Sequence, residues 1–215
     1  TRIAAEHAHA ERLFDPQYYA AYNVSHPEAR RGRLESSEDY LDCFHERRRR
    51  DLEDGVHLVN EDIRRWIEFQ DNLDLSGIIS PNILISRSLD SIEAVIAKRF
   101  IRQAGTIHAE VRGGKPLYVT LAMSREALLD KNELLAFLED ITILPTPPDG
   151  FYVLIATCNE DARSEIFHTD VIAGWMLINH VLSLNGFRVV NGFSDLMTPF
   201  LAAAGAEAGA TGWWS

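Results

Sequence analysis

Alternation of strand and helix patterns is the feature of this chain that most restricts its fold. From residue 77 onward, short apolar runs typical of strands buried on both faces alternate with amphipathic helical segments. The runs are Gly77–Ser86, Leu117–Met123, Phe151–Cys158, Phe187–Phe193 and Gly209–Trp213, and Glu11–Asp15 is a weaker sixth candidate. Pro81 within the first run indicates an irregularity or the start of that strand. Alternation at this interval predicts right-handed βα units and a parallel sheet.

Helical patterns occupy the segments between these runs. They cover Leu89–Gln103, Lys131–Leu144, Ile172–Leu184 and Leu196–Ala204. Asp90 or Ser91 is placed to cap the first helix, and Asn185-Gly186 is a signal for the end of the third. In a parallel α/β sheet, functional groups collect at the carboxyl ends of the strands, so the residues just after each strand are the candidates.

The fold class predicted from this pattern is α/β, with repeated βα units forming a (β/α)8-type barrel. Uniformly short strands and the lack of an early GxGxxG turn favour a barrel, and a doubly wound open sheet is the alternative. We expect residues 1–215 to form a single α/β domain, with a helix-rich part over 1–76 and regular βα units over 77–215. Charged helices are predicted at Ser36–Val59 and Glu61–Gln70. Five or six strands are fewer than eight, and the chain ends on Trp213-Trp214, so an incomplete barrel is expected.

Composition narrows the classes of function. A net charge of −11 over 215 residues argues against a general nucleic-acid binder, which normally carries a basic face. Two cysteines fit a reducing compartment, and no apolar run reaches the roughly 18–20 residues that span a bilayer. We therefore expect a cytoplasmic protein without membrane or nucleic-acid partners. The sequence has no HxxxH or HExxH spacing, so no metal site is predicted, and no cofactor is identified.

The C-terminal βαβ segment resembles a known group of barrels. Its pieces are Val189-Val190, Asn191-Gly192, Gly205-Ala206-Glu207-Ala208 and Thr211-Gly212. This order resembles the strand-7 to strand-8 region of phosphate-binding (β/α)8 barrels, a group that includes FMN-dependent oxidoreductases and ribulose-phosphate-type enzymes. The resemblance implies a barrel fold and a phosphate group held at the carboxyl ends of the strands.

Arginines follow two of the predicted strands at equivalent positions. Ser86-Arg87-Ser88 ends one strand and Ser124-Arg125-Glu126 ends the next. Because the carboxyl ends of parallel strands meet at one edge, Arg87 and Arg125 could converge on an anion, for which the guanidinium offers a planar fork. The alternative is that Ser88 or Ser124 caps the following helix and the arginines face solvent.

Amide and hydroxyl groups follow the later strands. Asn159, Asn191 and Ser194 lie at or just after predicted strand ends. Each is placed to hydrogen-bond a ligand at the same edge of the sheet. Together with the two arginines they form the predicted ligand-binding set.

Two aspartates are the candidates for acid–base chemistry. Asp195 follows the strand at Phe187–Phe193, and the alternative is that it caps the helix that begins beside it. Asp15 ends the weaker strand candidate and precedes Pro16, a pattern that also fits a simple turn. Tyr18 and Tyr19 follow closely and could stack on a ring-shaped ligand.

The function predicted from these residues is binding of a small anionic or phosphorylated ligand at the C-terminal mouth of a barrel, with catalysis left open. The alternative is a non-catalytic subunit of a larger assembly. In that case the charged N-terminal helices and Trp213-Trp214 would be docking surfaces for a protein partner.

Overall fold

The computed structural model of the chain describes residues 10–15, 17–21, 49–111, 114–156 and 168–210. Some predictions fall elsewhere. Asn159, Trp213-Trp214 and the part of the predicted helix Ser36–Val59 before residue 49 lie outside the described residues.

Helices and strands alternate along the described chain. The helices are α1 (Tyr18–Ala21), α2 (Arg49–Asp54), α3 (Val56–Asp71), α4 (Ile92–Val111), α5 (Lys131–Thr142), α6 (Thr169–Leu184) and α7 (Thr198–Ala203). The strands are β1 (Ile78–Ile79), β2 (Leu84–Ile85), β3 (Leu117–Ser124), β4 (Gly150–Ala156), β5 (Arg188–Asn191) and β6 (Ala208–Gly209). Short 3-10 turns occupy Glu126–Leu128 and Asp195–Met197. No helix of the described residues has the length and apolarity needed to cross a membrane.

Local signals in the sequence set several of these boundaries. Ser91 Oγ accepts a hydrogen bond from the Ala94 amide at 3.2 Å, which confirms the predicted cap of α4. Helix α6 ends at Leu184 with Asn185 as its C-cap, as predicted, and Gly186 has a φ of 84° that favours glycine. Asp130 caps α5 by accepting from two amides at 2.9 and 3.0 Å.

The sheet is parallel and its strands follow sequence order. Strands β3, β4, β5 and β6 are successive neighbours, and both β1 and β2 pair with β3. Ile79 pairs with Tyr118 and Leu84 pairs with Ala122, so the first strand carries one residue more than its partner between these points. That extra residue is a β-bulge around Pro81, the irregularity that the proline predicted.

The sheet curls into a half-barrel, which is compatible with an incomplete βα barrel. A doubly wound sheet reverses its strand order at a switch point, whereas the order among the described strands runs in one direction. The predicted βα units and parallel sheet are therefore confirmed.

Two different surfaces flank the sheet. The outer face packs against the helices, where Leu117, Val119 and Met123 join a core with Phe100 of α4 and Ile178 of α6. The opposite, inner face carries a smaller cluster. Its buried members are Tyr19, Ile79, Tyr118, Ala122, Tyr152, Leu154 and Val190.

Residues 10–15 run extended beside β1, although they are not paired as a regular strand. The Ser76 amide donates to the Arg12 carbonyl at 2.8 Å, and the Arg12 amide donates to Ser76 Oγ at 3.0 Å. Phe14 points to the outer side, with its ring 6.3 Å from Trp66 and 6.0 Å from Phe69. Side chains on either side of Phe14 therefore reach the inner face.

Helix α3 completes this edge of the sheet through one side chain. Gln70 is fully buried, and its Nε2 donates to the Ile79 carbonyl at 2.7 Å. Its Oε1 accepts from the Ile79 amide at 3.0 Å. The amide group of Gln70 thus takes the place of a neighbouring strand at this residue.

Candidate functional site

A carboxyl group on the inner face is held by two tyrosine hydroxyls. Tyr19 donates to Asp15 Oδ2 at 2.6 Å and Tyr152 donates to the same oxygen at 3.1 Å. The backbone amide of Gln17 donates to Oδ1 at 2.9 Å. The sequence predicted Asp15 as an acid–base candidate, and the structure surrounds it with hydroxyl donors.

The surroundings of this carboxyl change its proton affinity. Burial raises the pKa of Asp15, and the hydrogen bonds from Tyr19, Gln17 and Tyr152 oppose that rise without cancelling it. Burial also raises the pKa of the Tyr152 hydroxyl, and the negative charge of Asp15 adds to this effect. Asp15 therefore retains its proton to higher pH than an exposed aspartate, and Tyr152 stays protonated at neutral pH.

Local backbone structure brings the two tyrosines onto Asp15. Residue 17 turns the chain so that α1 starts at Tyr18 and carries Tyr19 back over the carboxyl. Tyr152 projects from β4, between Thr120 of β3 and Val190 of β5 in the register of the sheet. Residues separated by up to 137 positions in sequence thus meet at one oxygen atom.

Two of the unusual backbone conformations of the described chain lie near the same group. Gln17, Phe193 and Asp195 have positive φ values of 49°, 54° and 36°, and they are the non-glycine residues of this kind in the described chain. Gln17 binds Asp15 directly, and Phe193 follows Gly192, which lies against the Tyr152 ring. Such conformations cost on the order of 1–3 kcal/mol each and concentrate at functional sites.

The structure brings Arg87 and Arg125 to one edge of the sheet. Ser124 Oγ donates to the Ser86 carbonyl at 2.8 Å, so the ends of the two strands that precede the arginines are joined. Arg87 is exposed, and Arg125 Nε bonds Glu126 Oε1 at 3.0 Å. Ser124 pairs with Ala156, four residues beyond Tyr152 in β4, which puts the arginines roughly 13 Å farther along the strands than Tyr152.

The serine beside Arg87 has a structural partner of its own. Ser88 Oγ donates to Glu133 Oε2 at 2.8 Å and accepts from the Asp90 amide at 3.0 Å. Ser88 therefore fixes the loop before α4 and does not cap the helix, the alternative considered for it, because Ser91 holds the capping position.

Asn191 faces the outer side of the sheet and does not join Asp15. Its Oδ1 accepts from Trp175 Nε1 at 2.7 Å and from Asn179 Nδ2 at 3.2 Å. Its Nδ2 donates to Asn179 Oδ1 at 2.7 Å. This buried network joins the carboxyl end of β5 to α6 and engages both the oxygen and the nitrogen of the side-chain amide.

Ser194 and Asp195 lie just beyond β5. Ser194 Oγ is 2.8 Å from Thr198 Oγ1, and both residues line a cavity of about 50 Å³ beside Gly209. Asp195 is half-buried at the start of the 3-10 turn that leads into α7. Helix α7 begins only at Thr198, so Asp195 is not its N-cap, the alternative role that the sequence suggested.

An ionic cluster occupies the opposite, amino end of the inner face. Arg188 bonds both carboxylate oxygens of Glu207 at 2.6 Å and Glu11 at 3.2 Å, and its guanidinium lies 5.3 Å from the Tyr118 ring centre. Burial and the charge of Glu11 raise the pKa of Tyr118 to about 12. Arg188 pairs with two carboxylates of the protein, Glu207 and Glu11, so ion pairs stabilise this end of the inner face.

Sequence reasoning missed Tyr152 and Gly192 as parts of the site. Tyr152 is embedded in the run FYVLIATC, where every position is apolar enough to be buried and no period-two pattern marks the inner face.

Among the described residues, no group of three or more His, Cys, Asp or Glu side chains is arranged to hold a metal ion.

Comparison with known proteins returned no relative. No protein family, no curated protein and no solved structure matches the chain. Functional inference therefore rests on the residues and contacts described above.

Proposed function

We propose that this chain binds a small-molecule anionic or phosphorylated ligand, with its anionic group at the carboxyl ends of the strands. The ligand extends roughly 13 Å along the strands to Asp15, which exchanges a proton with it. The observation that carries the proposal is the enclosed carboxyl group of Asp15, whose pKa is raised and whose oxygen accepts from Tyr19 and Tyr152. Titratable groups perturbed by burial and specific partners occur preferentially at functional sites.

The chemistry of this group suits acid–base work. A carboxyl group whose pKa lies above its ordinary value holds a proton closer to neutral pH, where it is a more effective general acid or base. The neutral Tyr152 hydroxyl supplies a second polar contact at the same point. The positive φ values at Gln17 and Phe193 support a functional role for the surrounding turns.

The arginines are proposed to hold the anionic part of the ligand. Arg87 is exposed at the strand edge and offers a guanidinium fork, whereas Arg125 shares its charge with Glu126. Ser194 is proposed as a hydrogen-bonding residue at the same edge, and so is Asn159. Asn191 is proposed to contribute by fixing the end of β5, because its amide is already engaged.

We further propose that the half-barrel is part of a (β/α)8 barrel of the phosphate-binding kind. The sequential parallel strand order and the C-terminal βαβ motif support this reading. In such barrels ligands lie at the carboxyl ends of the strands, the edge from which Arg87 and Arg125 project. The acidic composition and the two cysteines support a cytoplasmic location.

A thermal-shift screen tests the proposal. The folded chain is heated with inorganic phosphate, nucleotides, flavins and sugar phosphates in turn. A ligand present at about 100 times its dissociation constant should stabilise the folded state by about 2.7 kcal/mol. We expect at least one phosphate-bearing compound to raise the melting temperature, and Arg87→Ala or Arg125→Ala to abolish that rise.

The control is Arg102→Ala, which removes an exposed arginine from the outer helix α4. It should leave the ligand-induced rise unchanged. A flat screen with well-folded protein would contradict the proposal, and so would a rise that all three arginine variants reduce equally, since that would indicate general charge attraction.

An exposed apolar surface favours a second candidate function, in which the chain is a non-catalytic subunit of a larger assembly. Ile143 and Leu184 are 75% and 72% exposed, and Ile143 borders an open groove between α5 and α6. Large exposed apolar side chains of this kind are common at protein interfaces. A protein partner that binds the chain should lose affinity for the double variant Ile143→Glu, Leu184→Glu if this surface is its docking site.

A further inference from the structure

Gly192 lies in contact with the Tyr152 side chain. A Cβ atom built on Gly192 would collide with the Tyr152 hydroxyl and would lie 2.6 Å from ring atom Cζ. The three nearest heavy atoms to that position all belong to Tyr152. The Tyr152 hydroxyl also bonds Asp15, so the space left by the missing side chain of Gly192 is occupied by part of the Asp15 site.

The backbone at this point cannot retreat from the tyrosine. The Gly192 amide donates to the Val153 carbonyl at 2.8 Å, which ties it to β4. On the other side, Ala210 donates to the Asn191 carbonyl at 2.7 Å and Ser194 donates to the Ala210 carbonyl at 3.0 Å. A side chain at position 192 would therefore be accommodated by movement of the Tyr152 ring.

Backbone conformation does not explain the glycine. The positive-φ glycines of the described chain are Gly186 and Gly205, and Gly192 is not one of them. The φ of Gly192 lies outside the left-handed range, so φ does not require a glycine there. What excludes a side chain at this position is the Tyr152 ring.

We propose that Gly192 is a positioning residue of the Asp15 site, because the missing side chain is what allows the Tyr152 hydroxyl to reach the carboxyl group. Its role in a reaction rests on the proposed function of Asp15. The geometric dependence of Tyr152 on Gly192 stands without any ligand.

The groups that face Asp15 fix the expected direction of the effect. Among the described residues they are the hydroxyls of Tyr19 and Tyr152 and the amide of Gln17. The ionic pair of Glu11 with Arg188 lies toward the amino end of the inner face, where Arg188 is two residues before Val190, the strand partner of Tyr152. The Tyr152 hydrogen bond stabilises the ionised carboxylate, so its loss should raise the pKa of Asp15 further.

Carbon-13 NMR of the Asp15 carboxyl group tests the proposal without a ligand. The carboxyl titration is recorded for the wild-type chain, Gly192→Ala, Tyr152→Phe and the double variant. We expect an alkaline shift of the titration midpoint in both single variants, and no additional shift when Gly192→Ala is combined with Tyr152→Phe. Gly114→Ala is the matched control, because a Cβ at Gly114 has no atom within 4 Å.

Two results would overturn the proposal. One is an Asp15 titration in Gly192→Ala that coincides with the wild type. The other is a shift in the double variant equal to the sum of the single shifts, which would mean that Gly192 acts independently of Tyr152.

Folding itself provides a second test if Gly192→Ala does not fold. The variant is then combined with Tyr152→Ala, which removes every atom that the new Cβ would strike. Recovery of folding relative to Gly192→Ala alone supports the proposal, and failure to recover overturns it. A negative ligand screen would refute the proposed function and leave these results unaffected, so the two ideas fail separately.

Discussion

Substitution of Gln70 by leucine should destabilise the protein strongly, because this side chain closes the edge of the sheet. Gln70 is fully buried and exchanges two hydrogen bonds with the backbone of Ile79, at 2.7 and 3.0 Å. Leucine fills a similar volume and offers neither a donor nor an acceptor. The N–H and C=O groups of Ile79 would then be buried without partners.

The expected loss follows from these two groups. Each unsatisfied buried backbone group costs about 1–3 kcal/mol, so the pair costs about 2–6 kcal/mol. Burial of the more apolar leucine side chain offsets on the order of 1–2 kcal/mol. The difference between the two effects predicts that Gln70→Leu lowers the free energy of unfolding by about 1–4 kcal/mol.

Urea denaturation measures this loss directly. The midpoint should fall while the slope stays constant, since the surface exposed on unfolding is unchanged. The matched control is Gln103→Leu on α4, where the side chain is only half-buried and the change should stay within about 0.5 kcal/mol. Amide hydrogen exchange at Ile79 should also accelerate in Gln70→Leu. A loss below about 1 kcal/mol, with exchange at Ile79 unchanged, would refute the edge-closing role.

Three further perturbations test other parts of the structure. The folded-state pKa of Asp15 is raised. Protonated Asp15 therefore contributes its full share to the free energy of unfolding below about pH 3.8, and this contribution is lost as the pH rises through the folded-state pKa. Asp15→Asn should remove that loss. In this window the free energy of unfolding of the variant should therefore rise relative to that of the wild type by up to about 1.4 kcal/mol per pH unit. Urea titrations across pH measure this difference, and parallel pH profiles of the two proteins would contradict it. Asn191→Leu leaves buried amide and indole groups without partners and should cost about 2–4 kcal/mol in the same assay, and a neutral result would exclude the network as a stabilising element. Gly105→Ala should lower the melting temperature clearly, because its Cβ would collide with the Thr146 carbonyl, whereas Gly114→Ala should not; equal melting temperatures would contradict the packing.

The parts of the fold that were predictable from the sequence depend on local signals. Apolar runs between amphipathic helices gave the parallel βα order, because each signal lies within about ten residues of chain. Pro81 marked the bulge, and Ser91 and Gly186 marked helix ends. Ser86 and Ser124, which precede the two arginines, meet at one edge because parallel strands bring their carboxyl ends together.

The side chains of the site were harder to predict for a physical reason. Strands buried on both faces lack a period-two pattern, so the sequence does not reveal which side a residue faces. Asn191 was therefore expected at a ligand and instead bonds Asn179 behind the sheet. The contact between Asp15 and Tyr152 depends on strand register and on the curl of the sheet, which no local pattern specifies.

The most direct test of the proposed binding site is an amide chemical-shift titration with inorganic phosphate and then with the strongest phosphate-bearing compound from the thermal screen. We expect the largest changes at residues 86–88, 124–126 and 192–195, together with the amide of Gln17, which bonds Asp15. Changes centred on Arg188 and Glu207 at the opposite end of the inner face, or no saturable change in any amide, would contradict a ligand site at the carboxyl ends of the strands.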